Sequence, residues 1–388
     1  MAETRSLIYL DNFTLAPPTS RVNEAFERGR KESLYDISAS YQMPGPLTQA
    51  LETSIEYLYE LVGADPSDRF FFGQSESQLS AEIFFSLLID EMYQTGKNHL
   101  IAPKTEKASI LRTMDRLKEI GCTFSLIDVD QDGQITLEAV KKQITPRTAL
   151  IALSWADGLV GTIRPIWEIT EYCKEQGIAT YVQASEIFAK LFFRFRDLPI
   201  DYLSFSGELF HAPKGTAGLF VKKGVKPPVI SYPLGARMAI FEGAHPAGLI
   251  AMGEAACEVL DLIDSMSMET AHLRAKFENQ LEKRVEGVHF FGRGANRVPN
   301  VSCFAIEKIH AELLLFHLMN EGVYATFGGG QRQKLDHLLI AGGVNEELAK
   351  SAISIALSAQ TSEDEIDEAL ERIVKIAEKL KIARGVLV

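Results

Sequence analysis

Residues 204–215, SFSGELFHAPKG, gather small and hydroxyl-bearing side chains where a strand end would turn into a loop, and the apolar run TAGLFV follows. Loops at strand ends are where α/β proteins present reactive groups. The middle of this loop is Glu208-Leu209-Phe210, and Leu209 has no chemistry to offer. A second stretch, FFGQSESQLS (71–80), ends a strand at Gly73 and starts a helix at Ser75-Glu76. The first N–H groups of such a helix and the positive end of its dipole suit a phosphate. Capping of the helix by Ser75 accounts for the same residues equally well, because both readings draw on the same orphan donors.

Three further patterns carry less. DVDQDGQITLE (128–138) spaces Asp128, Asp130 and Asp132 like a calcium loop, with Gly133 at the turn. The twelfth position is Ala139, the acid falls one place early at Glu138, and the preceding TFSLID reads as a strand; a surface turn is expected. FGGGQRQ (327–333) matches neither the P-loop nor the dinucleotide pattern, since Gln333 stands where the last glycine belongs; a loop is expected. The histidines show no metal-ligand spacing, and His211 and His337 are expected at the surface or in packing. No nucleophile–base pair stands out.

The elements that position these residues follow from the rest of the chain. Its 388 residues suit two domains, and 46% apolar with 24% charged residues is ordinary globular composition. A net charge of -12 argues against nucleic acid or an anionic membrane surface as partner. No apolar run reaches the roughly 20 residues of a membrane helix, and MAETRSLIYL lacks the layout of a secretory signal. Cys122, Cys173, Cys257 and Cys303 are scattered, which fits a reducing cytoplasm, with each thiol packed as a small apolar group.

From about residue 45 to 225 helix-like and strand-like segments alternate. RFFFG, HLIAP, TFSLIDV, ALIALSW, ATYVQ, YLSFS and GLFVKKG read as strands. LTQALETSIEYLYELVG, QLSAEIFFSLLIDEMYQ, ASILRTMDRLKEIG and PIWEITEYCKEQG read as helices. Such alternation predicts a mainly parallel sheet with helices on both faces. Beyond about residue 245 two long helices, AGLIAMGEAACEVLDLIDSM and HLRAKFENQLEKRVEG, precede VSCFAIE, a helix, VYATFGGG and the final helix DEIDEALERIVKIAEKLK, an α+β texture.

In order, six segments resemble one family, the class V aminotransferases, and most closely the NifS-like cysteine desulfurases. YLDNFTLAPP (9–18) is similar to YLDNAATTP, and FFGQSESQ to the phosphate turn TSGGTESN. SWADGLVGTIRPI (154–166) is similar to MxxNNExGTxxPI, and TYVQASEIFAK (180–190) to FHVDAVQAxGK. SFSGELFHAPKG is similar to SxSGHKxxGPKG, and TSEDEID (361–367) to TTxEEID. The resemblance implies the pyridoxal-phosphate (PLP) transferase fold of aspartate-aminotransferase type. A large, mostly parallel-sheet domain is expected over about residues 16–260, and a small α+β domain from residues 1–15 with 261–388. It also implies PLP as cofactor, no metal, and a homodimer with its sites at the subunit interface.

Carried over residue by residue, the resemblance places Gly73, Ser75, Glu76, Gln183, Glu186, Ser206 and Glu208 at cofactor-facing positions. The lysine that links covalently to PLP in the family falls on Leu209, beside Glu208 in place of histidine. The aspartate that pairs with the pyridine nitrogen falls on Gln183, which cannot hold that proton by charge. The ring-oxygen glutamine is Glu186, the ring-stacking histidine is Lys107, the substrate-clamping arginine is Ser354, and the partner-subunit threonine is Ala244. The loop that carries the persulfide cysteine matches FGGGQRQ, which has none. Bulky Leu209 and Phe210 suggest a partly filled pocket. The expectation is a catalytically inactive homologue that binds PLP, if at all, without a covalent link, and has a binding or regulatory role, alone or with an active desulfurase or sulfur-transfer partner. Two alternatives stand beside it: an enzyme whose Schiff-base lysine has moved to Lys107, and a small-anion binder using Ser75 and Ser206. Lys214 reads as structural or phosphate-facing.

Overall fold

The computed structural model describes residues 7–32, 45–228, 232–233, 237–241, 245–330 and 333–385. Its strands run in chain order as β1 (Ile8–Tyr9), β2 (Arg69–Gly73), β3 (His99–Pro103), β4 (Thr123–Ile127), β5 (Thr148–Ser154), β6 (Ala179–Gln183) and β7 (Tyr202–Ser206). They continue as β8 (Ala217–Val221), β9 (Tyr232–Pro233), β10 (Met238–Ile240), β11 (Val288–Phe291), β12 (Val301–Ile306), β13 (Val323–Tyr324) and β14 (Ala352–Ala356).

Nine strands form one sheet in the order β4-β3-β5-β6-β7-β8-β2-β10-β9. The pairs from β4 through β7 are parallel, β8 is antiparallel to both β7 and β2, and β10 is parallel to β2. Helices cover both faces, so the central strands are buried throughout; all seven residues of β5 are buried. That explains why TALIALS is continuously apolar or small rather than alternating. Because β8 reverses, β2 points the same way as β3, β5, β6 and β7. The C-terminal ends of these five strands therefore share one sheet edge, where open α/β sheets place their ligands.

The helices Ser20–Glu32, Gly45–Val62 and Pro246–Leu260 pack together on one face, and Val22, Leu47, Leu51, Leu249 and Met252 join the same core as Phe70 and Phe220. The contact is close: a Cβ added at Gly253 would lie 2.3 Å from Ser54 Cβ. A second core gathers Ile8 and Leu10 with Leu273, Phe304, Ile353 and Ile366, around the antiparallel sheet β11-β12-β14. β1 pairs in parallel with β13, so the first described residues belong to this second core.

Two helix expectations need correction. The segment 78–94 is not one helix: it runs Glu76–Leu87, then a wider π turn at Leu88–Met92, then Tyr93–Thr95. None of the π-turn residues is buried, so widening the helix there sacrifices no core contact. The break between the two later helices falls at Asp261–Leu262, so IDSM opens the second helix, Ile263–Arg284. The Asp128–Gly133 part of DVDQDGQITLE is a turn with structural work for each aspartate, and its last two residues open the helix Leu137–Gln143. Asp128 pairs with Lys104 at 2.6 Å, Asp130 Oδ1 accepts from the N–H of Asp132 and Gln134, and Asp132 Oδ1 accepts from Gly292 N–H. Among the described residues no helix is long and apolar enough to cross a membrane.

Candidate functional site

The shared strand edge holds a cavity of about 280 Å³. Ser75, Glu76, Lys107, Ser206, Glu208 and Leu209 are among the residues that line it, together with Lys214, Gly329 and Gly330. Sequence positions far apart are thus brought to one place by strand ends. β2 delivers Ser75-Glu76, the turn after β3 delivers Lys107, and β7 delivers Ser206 and the loop to Lys214. Leu209 is 7% exposed, with Phe210 buried behind it against Phe188 and Phe205. Gly73 does not line the cavity; its Cα faces Leu79 and Gln78, where a Cβ would sit 3.0 Å from Leu79 Cδ2.

Ser75 caps the helix Glu76–Leu87, its Oγ accepting from Gln78 N–H at 3.1 Å, and Gln78 Oε1 accepts from Gln74 N–H at 3.0 Å. The capping role is realised in full. Glu208 Oε1 accepts from Gly215 N–H at 3.1 Å. Ser206 donates its N–H to Ser185 Oγ at 2.8 Å. Lys214 makes no ion pair among the described residues.

The centre of the site is a buried ion triad. Lys107 Nζ lies 2.8 Å from Glu76 Oε2 and 3.1 Å from Glu186 Oε1, and the Glu186 side chain is fully buried. The Lys107 ammonium therefore reaches from one wall of the cleft to the other, between the helix after β2 and the turn after β6.

Beneath the triad runs a buried hydrogen-bond network. Gln183 Nε2 donates to Ser80 Oγ at 2.9 Å and to Tyr181 Oη at 3.1 Å. Tyr181 lies 2.9 Å from Ser204 Oγ, and Ser204 donates to Glu76 Oε1 at 2.9 Å. Ser80 donates to the Glu76 carbonyl at 2.8 Å. With the Ser204 proton on the Glu76 carboxylate and the Ser80 proton on the Glu76 carbonyl, the single Tyr181 proton is shared between Ser80 and Ser204, whose oxygens lie 2.7 and 2.9 Å from it. Burial, with the Glu76 charge adding to it, pushes the Tyr181 phenol up, so it stays a donor. Gln183 spends both amide protons on this chain and points into the protein rather than the cleft.

A second buried pair lies alongside. Arg164 bonds Glu106, and its other amino group reaches Thr105 Oγ1 at 3.1 Å. Glu106 also accepts from Ser154 N–H at 2.8 Å and Ser154 Oγ at 2.6 Å. This fixes the segment that carries Lys107. Gln333 adds to it, donating to the carbonyls of Lys104 and Glu106 at 2.8 and 3.1 Å.

Other sequence-picked residues lie elsewhere. Ser354 is buried in β14, where its hydroxyl donates to the Leu159 carbonyl at 2.7 Å. His211 takes a left-handed backbone, φ 70°, and bonds the Pro17 carbonyl at 2.7 Å, while His337 is exposed. Ala244 and two residues of the FGGGQRQ loop, Gln331 and Arg332, lie outside the described residues. Cys122, Cys173 and Cys303 are buried as expected, but Cys257 is half-buried. Sequence reading missed Ser80, Tyr181, Ser204, Glu106 and Arg164. One signal was available: Ser80 stands one turn after Glu76, on the same helix face.

Comparison with known proteins agrees with this architecture. The family model "Aminotransferase class-V" matches residues 8–368. A cysteine desulfurase IscS of Dictyoglomus turgidum is 28% identical over 382 residues, covering 96% of this chain and 95% of that protein. A cysteine desulfurase IscS of Clostridium botulinum is 30% identical over 285 residues, 72% of each chain. Among solved structures, a NifS-like protein superposes with a TM-score of 0.86 at 24% identity, over 96% of this chain and all of that one. A NifS-like protein from Rickettsia africae superposes with a TM-score of 0.82 at 19% identity, again over 96% of this chain. The sheet, the strand-edge cleft and these matches carry one conclusion: the chain is a NifS-like member of the class V aminotransferase family, with the PLP-dependent transferase fold.

Proposed function

We propose that this protein is a non-catalytic member of its family, which keeps the cleft and uses it for binding or regulation. One observation carries the reading: the cleft wall at the family's lysine position is Leu209, 7% exposed. A hydrocarbon side chain cannot form a Schiff base. The surrounding residues fit PLP no better. Gln183 has both amide protons committed to Ser80 and Tyr181, so it has no charge and no free donor for a pyridine nitrogen. Two carboxylates, Glu76 and Glu186, and the Lys107 ammonium between them cross the cleft. A ring phosphate would also meet Glu208 in the cavity wall.

Lys107 gives the relocated-lysine reading its one favourable observation, since its amine is in the cleft. To act as a nucleophile, however, that amine must give up its proton and both ion pairs. The small-anion reading is favoured by Lys214 and opposed by the excess of carboxylates. The role proposed is exercised in the cytoplasm, as a homodimer or beside an active relative; the scattered, unbridged cysteines support that compartment.

The test is an absorbance spectrum of the purified protein from roughly 300 to 500 nm with and without added PLP, followed by borohydride reduction and intact mass, because a Schiff base is where this family's chemistry begins. No specific band, no adduct and no sulfide release from cysteine are expected. A stable band with a single-site adduct overturns the reading, and its loss in Lys107→Ala assigns the chemistry to that residue.

A further inference from the structure

The triad has the anatomy of an occupied ammonium site. Glu76 is held as an acceptor by the Ser204 hydroxyl, in a buried network that includes Tyr181 and Gln183. Glu186 is fully buried beside it. The two carboxylates come from different elements, and they meet at one point, where Lys107 Nζ sits at 2.8 and 3.1 Å. Its position opens onto a cavity of about 280 Å³. An ammonium has three N–H donors and no acceptor, which matches two converging carboxylates, whereas a planar aromatic ring or a phosphate does not.

We propose that the cleft is a binding site for a primary ammonium group and that Lys107 is its intramolecular occupant, which keeps the site closed to ligands with that group. The idea rests on the reading that no Schiff base forms in this cleft, and it adds the ligand class: small primary alkylamines in their protonated form. Lys107 reaches the site through a tether of four methylenes. Truncation to alanine vacates the space of three of them and the ammonium, a shape that n-propylammonium reproduces.

The experiment is thermal unfolding of the wild-type protein and of Lys107→Ala, each titrated with n-propylammonium chloride, tetramethylammonium chloride and sodium chloride. A ligand that binds the folded state raises the melting temperature in a saturable way. Lys107→Ala is expected to rise by about 2 °C or more with n-propylammonium and to respond at concentrations at least about tenfold below any effect on the wild type. Tetramethylammonium, which has no N–H, is expected to act no differently from sodium. The double variant Lys107→Ala/Glu186→Gln is expected to lose the response. Equal shifts in wild type and Lys107→Ala, or equal shifts with all three salts, overturn the proposal. If Lys107→Ala is insoluble, Lys107→Ser, which vacates nearly the same space, takes its place in the same titration, and an unchanged melting temperature there overturns it too. A PLP chromophore in the wild-type protein sinks the non-catalytic reading separately, by a signal that propylammonium does not produce.

Discussion

The Lys107 ammonium and the fully buried Glu186 carboxylate stand 3.1 Å apart across the cleft, and Glu76 closes the triad from the other wall. Removing the one cation leaves two carboxylates facing each other with little water. Breaking a buried pair this way costs about 3–5 kcal/mol. Lys107→Met is therefore expected to lose about that much stability in urea denaturation. Adding Glu186→Gln is expected to recover a large part of it, because Glu76 still has the Ser204 hydroxyl. Additive losses in the double variant are the contrary result.

Gln183 donates to Ser80 and Tyr181, in the network that reaches Glu76. An aspartate there accepts and does not donate when ionised. Gln183→Asp would then deprive Ser80 and Tyr181 of their donor and turn the charge inward, next to Glu76. The expected outcome is a loss of about 3 kcal/mol or more with no gain in PLP binding, read by denaturation and by absorbance titration. A stable variant that takes up PLP contradicts this donor role for Gln183.

Restoring the lysine alone is expected to fail. Leu209→Lys places an amine at the cleft wall, but the triad, Gln183 and Ser354 remain as they are. On the proposed non-catalytic reading, sulfide release from cysteine is expected to stay at background, because an amine at the wall does not by itself supply proton transfer and substrate clamping. Turnover by the single variant would place the whole deficit on Leu209.

The sheet was legible because its central strands are buried on both faces and announce it by composition: TALIALS and RFFFG need no partner to be read as strands. The position to which the resemblance assigns the family's lysine was legible too, since Leu209 sits in a recognisable register between SFSG and PKG. The triad was not. Lys107 is 31 residues from Glu76 and 79 from Glu186, and each is an unremarkable charge in its own segment. Their meeting follows from strand order, with the ends of β2, β3 and β6 on one edge. The donor chain was hidden for a related reason: a hydroxyl or amide gains meaning only from the direction its neighbours impose. The π turn at Leu88–Met92 left no mark, because a widened turn on an exposed face needs no change in residue type.

Two histidines set the expected pH dependence. His99 in β3 is buried, with its ring nitrogens 2.9 Å from Thr148 Oγ1 and 3.0 Å from Ser125 Oγ, and burial lowers its pKa. His211 is lowered as well, by burial first and by the Lys190 charge, against the hydrogen bond to Pro17 that favours protonation. Both hold their proton less tightly in the fold than in the unfolded chain, whose imidazoles titrate near their ordinary pKa of about 6.5. As pH falls through that value the unfolded state binds more protons, so stability declines, and the decline levels off below the folded pKa. His99→Gln, which keeps a donor and an acceptor for the two hydroxyls, is expected to flatten part of this slope while changing stability little at pH 8. Denaturation midpoints from pH 8 down to pH 5 measure it. An unchanged slope in His99→Gln would mean that His99 carries its proton equally in both states, and the acid sensitivity would then belong to His211 or to the carboxylates.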